Sequence, residues 1–338
     1  MNNNQIIKRS PSNIAIVKYW GKHGNQMPNN PSISFTLSNC FTETKVTYTE
    51  LQERNFGSTD DFVMDFYFEG KENQAFKNKI EKYLHANAKY FSFLKGLNLK
   101  IESHNSFPHS SGIASSASSM SALVMCLLSI KDKEIDLQEA SFLSRLASGS
   151  AARSVYPTMT LWGETPSLKE SSDEYAIPIG DMVDPVFKSY HDSILIVSSK
   201  EKSVSSRAGH SLMDTHPMAE SRYATARKNT EDLLTILKQG DLEGFINIAE
   251  AEANQLHDLM ATSTPSYTLK EPNTVNIIDK ILEFRSDTRL PICYTLDAGP
   301  NVHLLYPDSC AEQVNDFIEE TLKNYCFDNR YIHDRVSL

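Results

Sequence analysis

Along the first hundred residues, apolar and polar positions alternate or gather in short runs, the pattern of β-strands. Ile6–Val17, Ser32–Leu37, Thr44–Thr49 with strict alternation, and Phe62–Phe68 read as strands, followed by a helix over Asn73–Ala86 and a strand at Leu97–Ser103. The period then changes. Ala117, Met120, Leu123, Val124, Leu127 and Leu128 recur at helical spacing, and a second helix is expected over Leu137–Leu146. A short Ser/Gly segment leads to an extended run ending at Trp162. From Gly163 to Asp184 the chain is rich in Ser, Glu and Pro, which predicts a surface excursion and a boundary between units 1–184 and 185–338. The second unit opens on an apolar strand, Ser193–Val197, and continues through helical patterns over Met218–Lys238, Leu242–Met260 and Thr274–Phe284. Cys293–Leu296 and Val302–Tyr306 read as paired strands around a Gly-Pro-Asn turn, and a helix over Ala311–Asn324 closes the chain. This irregular interleaving predicts an α+β fold in two domains rather than a doubly wound sheet.

Bulk properties narrow the function classes. At 338 residues the chain exceeds what one core usually supports, and 40% apolar with 22% charged residues is ordinary for a globular protein. The net charge of −10 argues against a general nucleic-acid or anionic-membrane surface, so any basic site must be local. Cys40, Cys126, Cys293, Cys310 and Cys326 are scattered without a Cys-x-x-Cys pair, which favours buried small hydrophobes over a disulfide framework or zinc site. The N-terminus lacks an apolar signal core and no apolar run reaches the ~18 residues that span a bilayer, so a cytoplasmic protein is expected.

Candidate chemistry concentrates in four segments. Phe107 to Ser119 is a Pro-led loop of Ser and Gly opening an apolar helix. Small side chains let a phosphate approach the backbone, free N–H groups and the helix dipole favour the anion, and Ser110, Ser111, Ser115, Ser116 and Ser118 add hydroxyl donors. The alternative is a helix whose serines merely cap it. Lys18, Tyr19, Trp20 and Lys22 sit where an apolar strand breaks into a loop, facing either an anionic ligand or solvent. In Ser148-Gly-Ser150-Ala-Ala-Arg153, small residues around one Arg allow a two-pronged grip on a carboxylate or phosphate, or an Arg that pins its own loop. Asp297, at the end of an apolar strand before Ala-Gly-Pro, is either a base on rigid scaffolding or a turn former.

Together the four segments, in order, resemble the mevalonate diphosphate decarboxylase branch of the galactokinase, homoserine kinase, mevalonate kinase and phosphomevalonate kinase superfamily. The Pro108-x-x-x-Gly112-x-x-Ser115-Ser116-Ala117 loop is similar to that superfamily's ATP-phosphate loop. Asn13-Ile-Ala-x-x-Lys18-Tyr19-Trp20-Gly21-Lys22 followed by Ser32-Ile-Ser34, Ser148-Gly-Ser150-Ala-x-Arg153-Ser154, Val197–Gly209 with Ser206 and Arg207, and Asp297-Ala-Gly-Pro-Asn301 resemble the decarboxylase branch in particular.

The resemblance implies an N-terminal half like domain 2 of ribosomal protein S5, a ferredoxin-like C-terminal half, and an active site in the cleft between them. It implies a homodimer that uses ATP and Mg²⁺ to convert mevalonate 5-diphosphate to isopentenyl diphosphate, ADP, phosphate and CO₂. By that resemblance Asp297 takes the proton of the 3-hydroxyl, Arg153 with Ser150 holds the substrate carboxylate, and Lys18 stabilises charge on the transferred phosphoryl group. Tyr19, Trp20, Lys22, Ser148, Ser206 and Arg207 would contact the substrate. Pro108, Ser110, Ser111, Gly112, Ser115 and Ser116 would hold ATP, the last two also meeting Mg²⁺ through its phosphates.

The chain departs from the family pattern at several points. Pro157-Thr158 replaces a Gly-Gly pair, Ala147 and Ala152 replace a Gly and a Cys, His210 replaces a Met, and no Arg is found around Gly70–Lys79. Decarboxylation of mevalonate 5-phosphate, phosphorylation of the 3-hydroxyl alone, and a non-catalytic binding protein are the competing readings. The last is disfavoured because Asp297 and Arg153 are both present.

Overall fold

The computed structural model describes residues 4–51, 62–107, 115–200 and 203–336. In chain order the N-terminal half contains β1 (Asn4–Ala15), β2 (Lys22–His23), β3 (Met27–Pro28), β4 (Ser32–Glu50), β5 (Val63–Phe68), β6 (Lys71–Glu72), α1 (Gln74–Ala86), α2 (Ala88–Phe91) and β7 (Leu97–Asn105). It continues with α3 (Ser115–Lys131), α4 (Leu137–Ala147), β8 (Thr160–Trp162) and β9 (Ala176–Pro178). The C-terminal half contains α5 (Pro185–Lys188), β10 (His191–Leu195), α6 (Ser206–Leu212), α7 (Ala219–Gln239), α8 (Leu242–Thr262), α9 (Pro272–Thr288), β11 (Cys293–Leu296), β12 (Val302–Tyr306), α10 (Ala311–Glu320) and β13 (Tyr331–Arg335).

The N-terminal strands form a seven-stranded sheet, β6-β5-β7-β4-β8-β9, with β1 paired to β4, and the C-terminal strands form the four-stranded sheet β11-β12-β10-β13. The expected α+β architecture is present. The runs Ser32–Leu37 and Thr44–Thr49 differ from expectation: they are one strand, Ser32–Glu50. Its first six residues are buried, and one-sided alternation begins only near Cys40. The polar Ser38-Asn39 between them stays within the strand, held from the other half. The Asp334 carboxylate on β13 accepts from the backbone N–H groups of Ser38, Asn39 and Cys40 at 2.9, 2.8 and 2.7 Å. A side chain distant in sequence thus keeps this polar pair in the strand.

The segment expected to be a surface excursion, Gly163–Asp184, returns to the first sheet as β9, paired with β8. The last helix stops at Glu320, and a short 3₁₀ turn, Leu322–Tyr325, follows. All five cysteines are buried and free, as expected.

The two halves share a core. Ile14, Ile33, Phe35 and Leu161 from the first sheet pack with Phe187, Ile194, Phe245 and Leu305 from the second half, and Phe35 stacks on Phe245 at 5.4 Å. Each such side chain contributes about 1.5–3 kcal/mol through burial, so the junction is a fixed platform for what lies at its rim. Pro157 is exposed and Thr158 half-buried at the edge of this framework: the Thr36 hydroxyl donates to the Thr158 carbonyl, and a Cβ at Gly180 would meet Thr158 Oγ1 at 1.9 Å. The departure from Gly-Gly is absorbed by Gly180, away from the residues that line the central cavity.

Candidate active site

At the rim of the shared core, the end of β1, the start of α3, the turn after α4, helix α6 and the loop after β11 converge on a cavity of about 230 Å³. Its lining includes Lys18, Tyr19, Trp20, Lys22, Lys79, Ser116, Ser148, Ser150, Arg153, Ser206, Arg207 and Asp297. Among the described residues of this lining, five cations meet a single carboxylate, in a chain whose net charge is −10. Two roomier clefts, about 540 and 720 Å³, show no comparable convergence. The candidates read from four separate sequence segments therefore share one site. Pro108, Ser110, Ser111 and Gly112 lie outside the described residues, and Ser115 opens α3.

Lys18 anchors the centre. Its ammonium is buried and donates to the Ala15 carbonyl and, at 3.1 Å, to Asp297 Oδ1. Burial pushes the ammonium below the usual lysine value, while Asp297 pulls it back toward the charged form. Its backbone is clamped by the C-terminal half. Lys18 N–H donates to Glu252 Oε2 at 2.9 Å, and the Lys18 carbonyl accepts from Arg222 Nη2 at 2.8 Å and from Asn30 Nδ2 at 3.0 Å. Arg222 and Glu252 are fully buried and paired at 2.6 Å, with Asn229 donating to the same carboxylate. Such a pair is costly to desolvate, but it fixes one backbone position with charge-assisted bonds.

Arg153 comes from the 3₁₀ turn Gly149–Val155 and is 5% exposed. One Nη donates to Ser32 Oγ at 3.0 Å, whereas its buried Nε has no partner among the described residues. Burial lowers the guanidinium to about 10, opposed by Asp297, so it stays charged at neutral pH. A buried guanidinium with donors to spare suits a carboxylate. Asp297 keeps 29% side-chain exposure, and His257 Nε2 lies 3.1 Å from its backbone carbonyl, fixing the loop that carries it.

The opposite side is built around Gly21 and Gly209. Gly21 has φ +94°, and a Cβ there would meet the Tyr223 hydroxyl at 2.3 Å. A Cβ on Gly209 would meet Trp20 at 2.5 Å, so glycine lets α6 lie on that ring. Trp20 is therefore mainly a buried packing residue, 4% exposed, although it reaches the lining. Lys22 donates to Gln26 at 2.7 Å, and burial with the nearby Arg207 lowers its ammonium.

Sequence reasoning missed Lys79, the Arg222–Glu252 clamp and Gln26. Lys79 on α1 stands in the region where no arginine was found, and a lysine on a surface helix offers no signal. Arg222 and Glu252 did leave one: they fall on the buried stripes Arg222-Ala226-Thr230-Leu233-Leu237 and Phe245-Ala249-Glu252-Leu256 of α7 and α8.

Burial and the nearby Arg207 bring the Lys79 ammonium down to about 8. Its charge is then present below about pH 8 and lost above it. For an anionic substrate, kcat/KM should fall as pH rises through about 8, and Lys79→Arg should remove that limb; a wild-type profile flat to pH 9 would contradict the assignment.

Comparison with known proteins bears on which anion this is. Residues 10–175 match the diphosphomevalonate decarboxylase-like N-terminal domain, and residues 193–336 match the mevalonate 5-diphosphate decarboxylase C-terminal domain. The chain belongs to the diphosphomevalonate decarboxylase family. A relative named diphosphomevalonate decarboxylase, from Ganoderma lucidum, is 27% identical over 95% of this chain and 82% of its own length. The crystal structure of mevalonate diphosphate decarboxylase from Staphylococcus aureus superposes with a TM-score of 0.85 at 26% identity, covering 99% of this chain and 96% of that one. A structure described as MDDEF in complex with MVAPP, AMPPCP and magnesium shares the fold, with TM-score 0.83, 24% identity and 99% and 98% coverage. Family membership thus extends over both halves that meet at the cavity.

Proposed function

We propose that this chain catalyses the ATP-dependent decarboxylation of mevalonate 5-diphosphate to isopentenyl diphosphate, with release of ADP, phosphate and CO₂. The observation that carries the reading is the 3.1 Å contact of Asp297 with Lys18 beside the partly unpaired guanidinium of Arg153, in a cavity rimmed by Lys22, Lys79 and Arg207. One end suits a hydroxyl next to a carboxylate; the other suits a phosphate chain.

On this reading Asp297 accepts the proton of the tertiary 3-hydroxyl as its oxygen takes up the terminal phosphoryl group, and the Lys18 ammonium offsets the negative charge that develops there. Arg153 holds the carboxylate so that its C–C bond lies in line for cleavage. When the C3–O bond breaks and phosphate leaves, the electron pair of the carboxylate's C–C bond forms the new double bond and CO₂ departs. Lys22, Lys79 and Arg207 retain the diphosphate throughout.

The residues present fit ATP and magnesium. Helix α3 opens at Ser115, and Ser116 lines the cavity, so the positive end of the helix dipole faces it. Among the described residues no group of three His, Cys, Asp or Glu could hold a metal ion, so Mg²⁺ would ride on the nucleotide phosphates with Ser115 and Ser116 beside it. Bound Mg²⁺ would neutralise charge on the transferring phosphoryl group.

On the same reading residues 1–184 and 185–338 act as two domains of a cytoplasmic homodimer. Light scattering at twice 38.1 kDa would support the dimer and 38.1 kDa would refute it. No helix among the described residues is long and apolar enough to cross a membrane.

The reading is tested by measuring ADP and CO₂ release with mevalonate, its 5-phosphate and its 5-diphosphate in parallel. Highest kcat/KM on the diphosphate is expected; activity confined to the monophosphate would reassign the substrate. Arg153→Lys keeps the charge but loses the fork, and should lower kcat/KM by roughly 100-fold; near-normal turnover would remove Arg153 from the carboxylate.

A further inference from the structure

His210 stands on α6, three residues after Arg207, so both project from one helix face and both line the cavity. Its ring lies against two aromatic neighbours, with centroids 4.4 Å from Tyr19 and 4.6 Å from Trp20. Gly21 N–H donates to His210 Nδ1 at 3.0 Å. A neutral imidazole that accepts at Nδ1 carries its proton on Nε2, and Nε2 has no partner among the described residues. The ring is therefore held in one orientation and one tautomer, with a single N–H left for the cavity.

We propose that His210 is a further substrate-binding residue of this enzyme, donating its Nε2–H to a phosphoryl oxygen of the substrate's diphosphate. The inference rests on the reading given under Proposed function. Its place in the site favours the phosphate end: Arg207 shares its helix face, and Lys22 is the charge that bears on it most, ahead of Arg153. Burial and these cations bring the imidazolium down to about 3, so the ring is neutral at working pH and keeps the donor. A neutral donor adds direction without adding charge to an already cationic rim. A methionine at this position, as in the family pattern, would fill the space against Trp20 but donate nothing.

The test compares KM for mevalonate 5-diphosphate in the wild type, His210→Asn, His210→Met and His210→Gln, with KM for ATP and thermal stability measured alongside. Asn can still accept from Gly21 but lacks the outward N–H; Gln places an amide nitrogen near the Nε2 position. KM for the diphosphate is expected to rise by roughly 10-fold in the Asn and Met variants and to recover to within about threefold in Gln, with KM for ATP within about twofold throughout. An unchanged KM in a folded Asn or Met variant, or a rise that Gln fails to rescue, overturns the proposal. Wild-type enzyme that releases no ADP and CO₂ from mevalonate 5-diphosphate refutes the underlying reading and this inference with it, whereas an active wild type with unaltered variants refutes this inference alone.

Discussion

Asp297→Asn should reduce turnover by roughly 1,000-fold while ATP still binds. The amide keeps the shape and one acceptor oxygen, so the loop held by His257 should stay in place. What disappears is a proton acceptor at the mouth of β11, 3.1 Å from a buried ammonium. That ammonium also donates to the Ala15 carbonyl and can still donate to the amide oxygen, so the fold should survive. Nucleotide binding measured by calorimetry, beside single-turnover ADP formation, separates the two effects. Near-normal rates in the folded variant would take Asp297 out of the reaction, and lost ATP binding would show that it shapes the site rather than accepting a proton.

The largest stability effect should come from Glu252→Ala, a residue that does not itself line the cavity but holds the backbone of Lys18, which does. Removing this carboxylate leaves Arg222 charged and fully buried without its main partner, which costs about 3–5 kcal/mol. A Glu252→Met, Arg222→Met double variant removes both charges and should recover most of that stability, because a buried pair is often replaceable by apolar residues. It should not recover activity. The Lys18 N–H loses its acceptor and the Lys18 carbonyl loses the Arg222 donor, leaving only Asn30 on that carbonyl. Denaturant melts and steady-state kinetics on the single and double variants test this. A stable double variant with wild-type kcat would reduce the clamp to a packing element.

Much of this was legible in the chain because motif residues lie at element ends. Lys18, Arg153 and Asp297 each follow an element whose periodicity is plain, and the burial of those elements carries the side chains to a common rim. The continuity of β4 was not legible, since the polar Ser38-Asn39 is held extended by Asp334, some 300 residues further along. The return of Gly163–Asp184 as β9 was hidden by its loop-like composition. The clamp on Lys18 shows a third kind of loss. Arg222 and Glu252 are visible as charges on apolar stripes, but their meeting, and their grip on β1's end, depends on how α7 and α8 pack. Lys79 carries no signal at all: its importance comes only from where α1 ends up.

The most direct measurement is the stoichiometry of products from mevalonate 5-diphosphate labelled in its carboxylate carbon, with ADP, phosphate and CO₂ followed in the same reaction. One CO₂ and one phosphate are expected for each ADP, all three lost together in Asp297→Asn. ADP formed without CO₂ would make this a kinase and contradict the role given to Arg153.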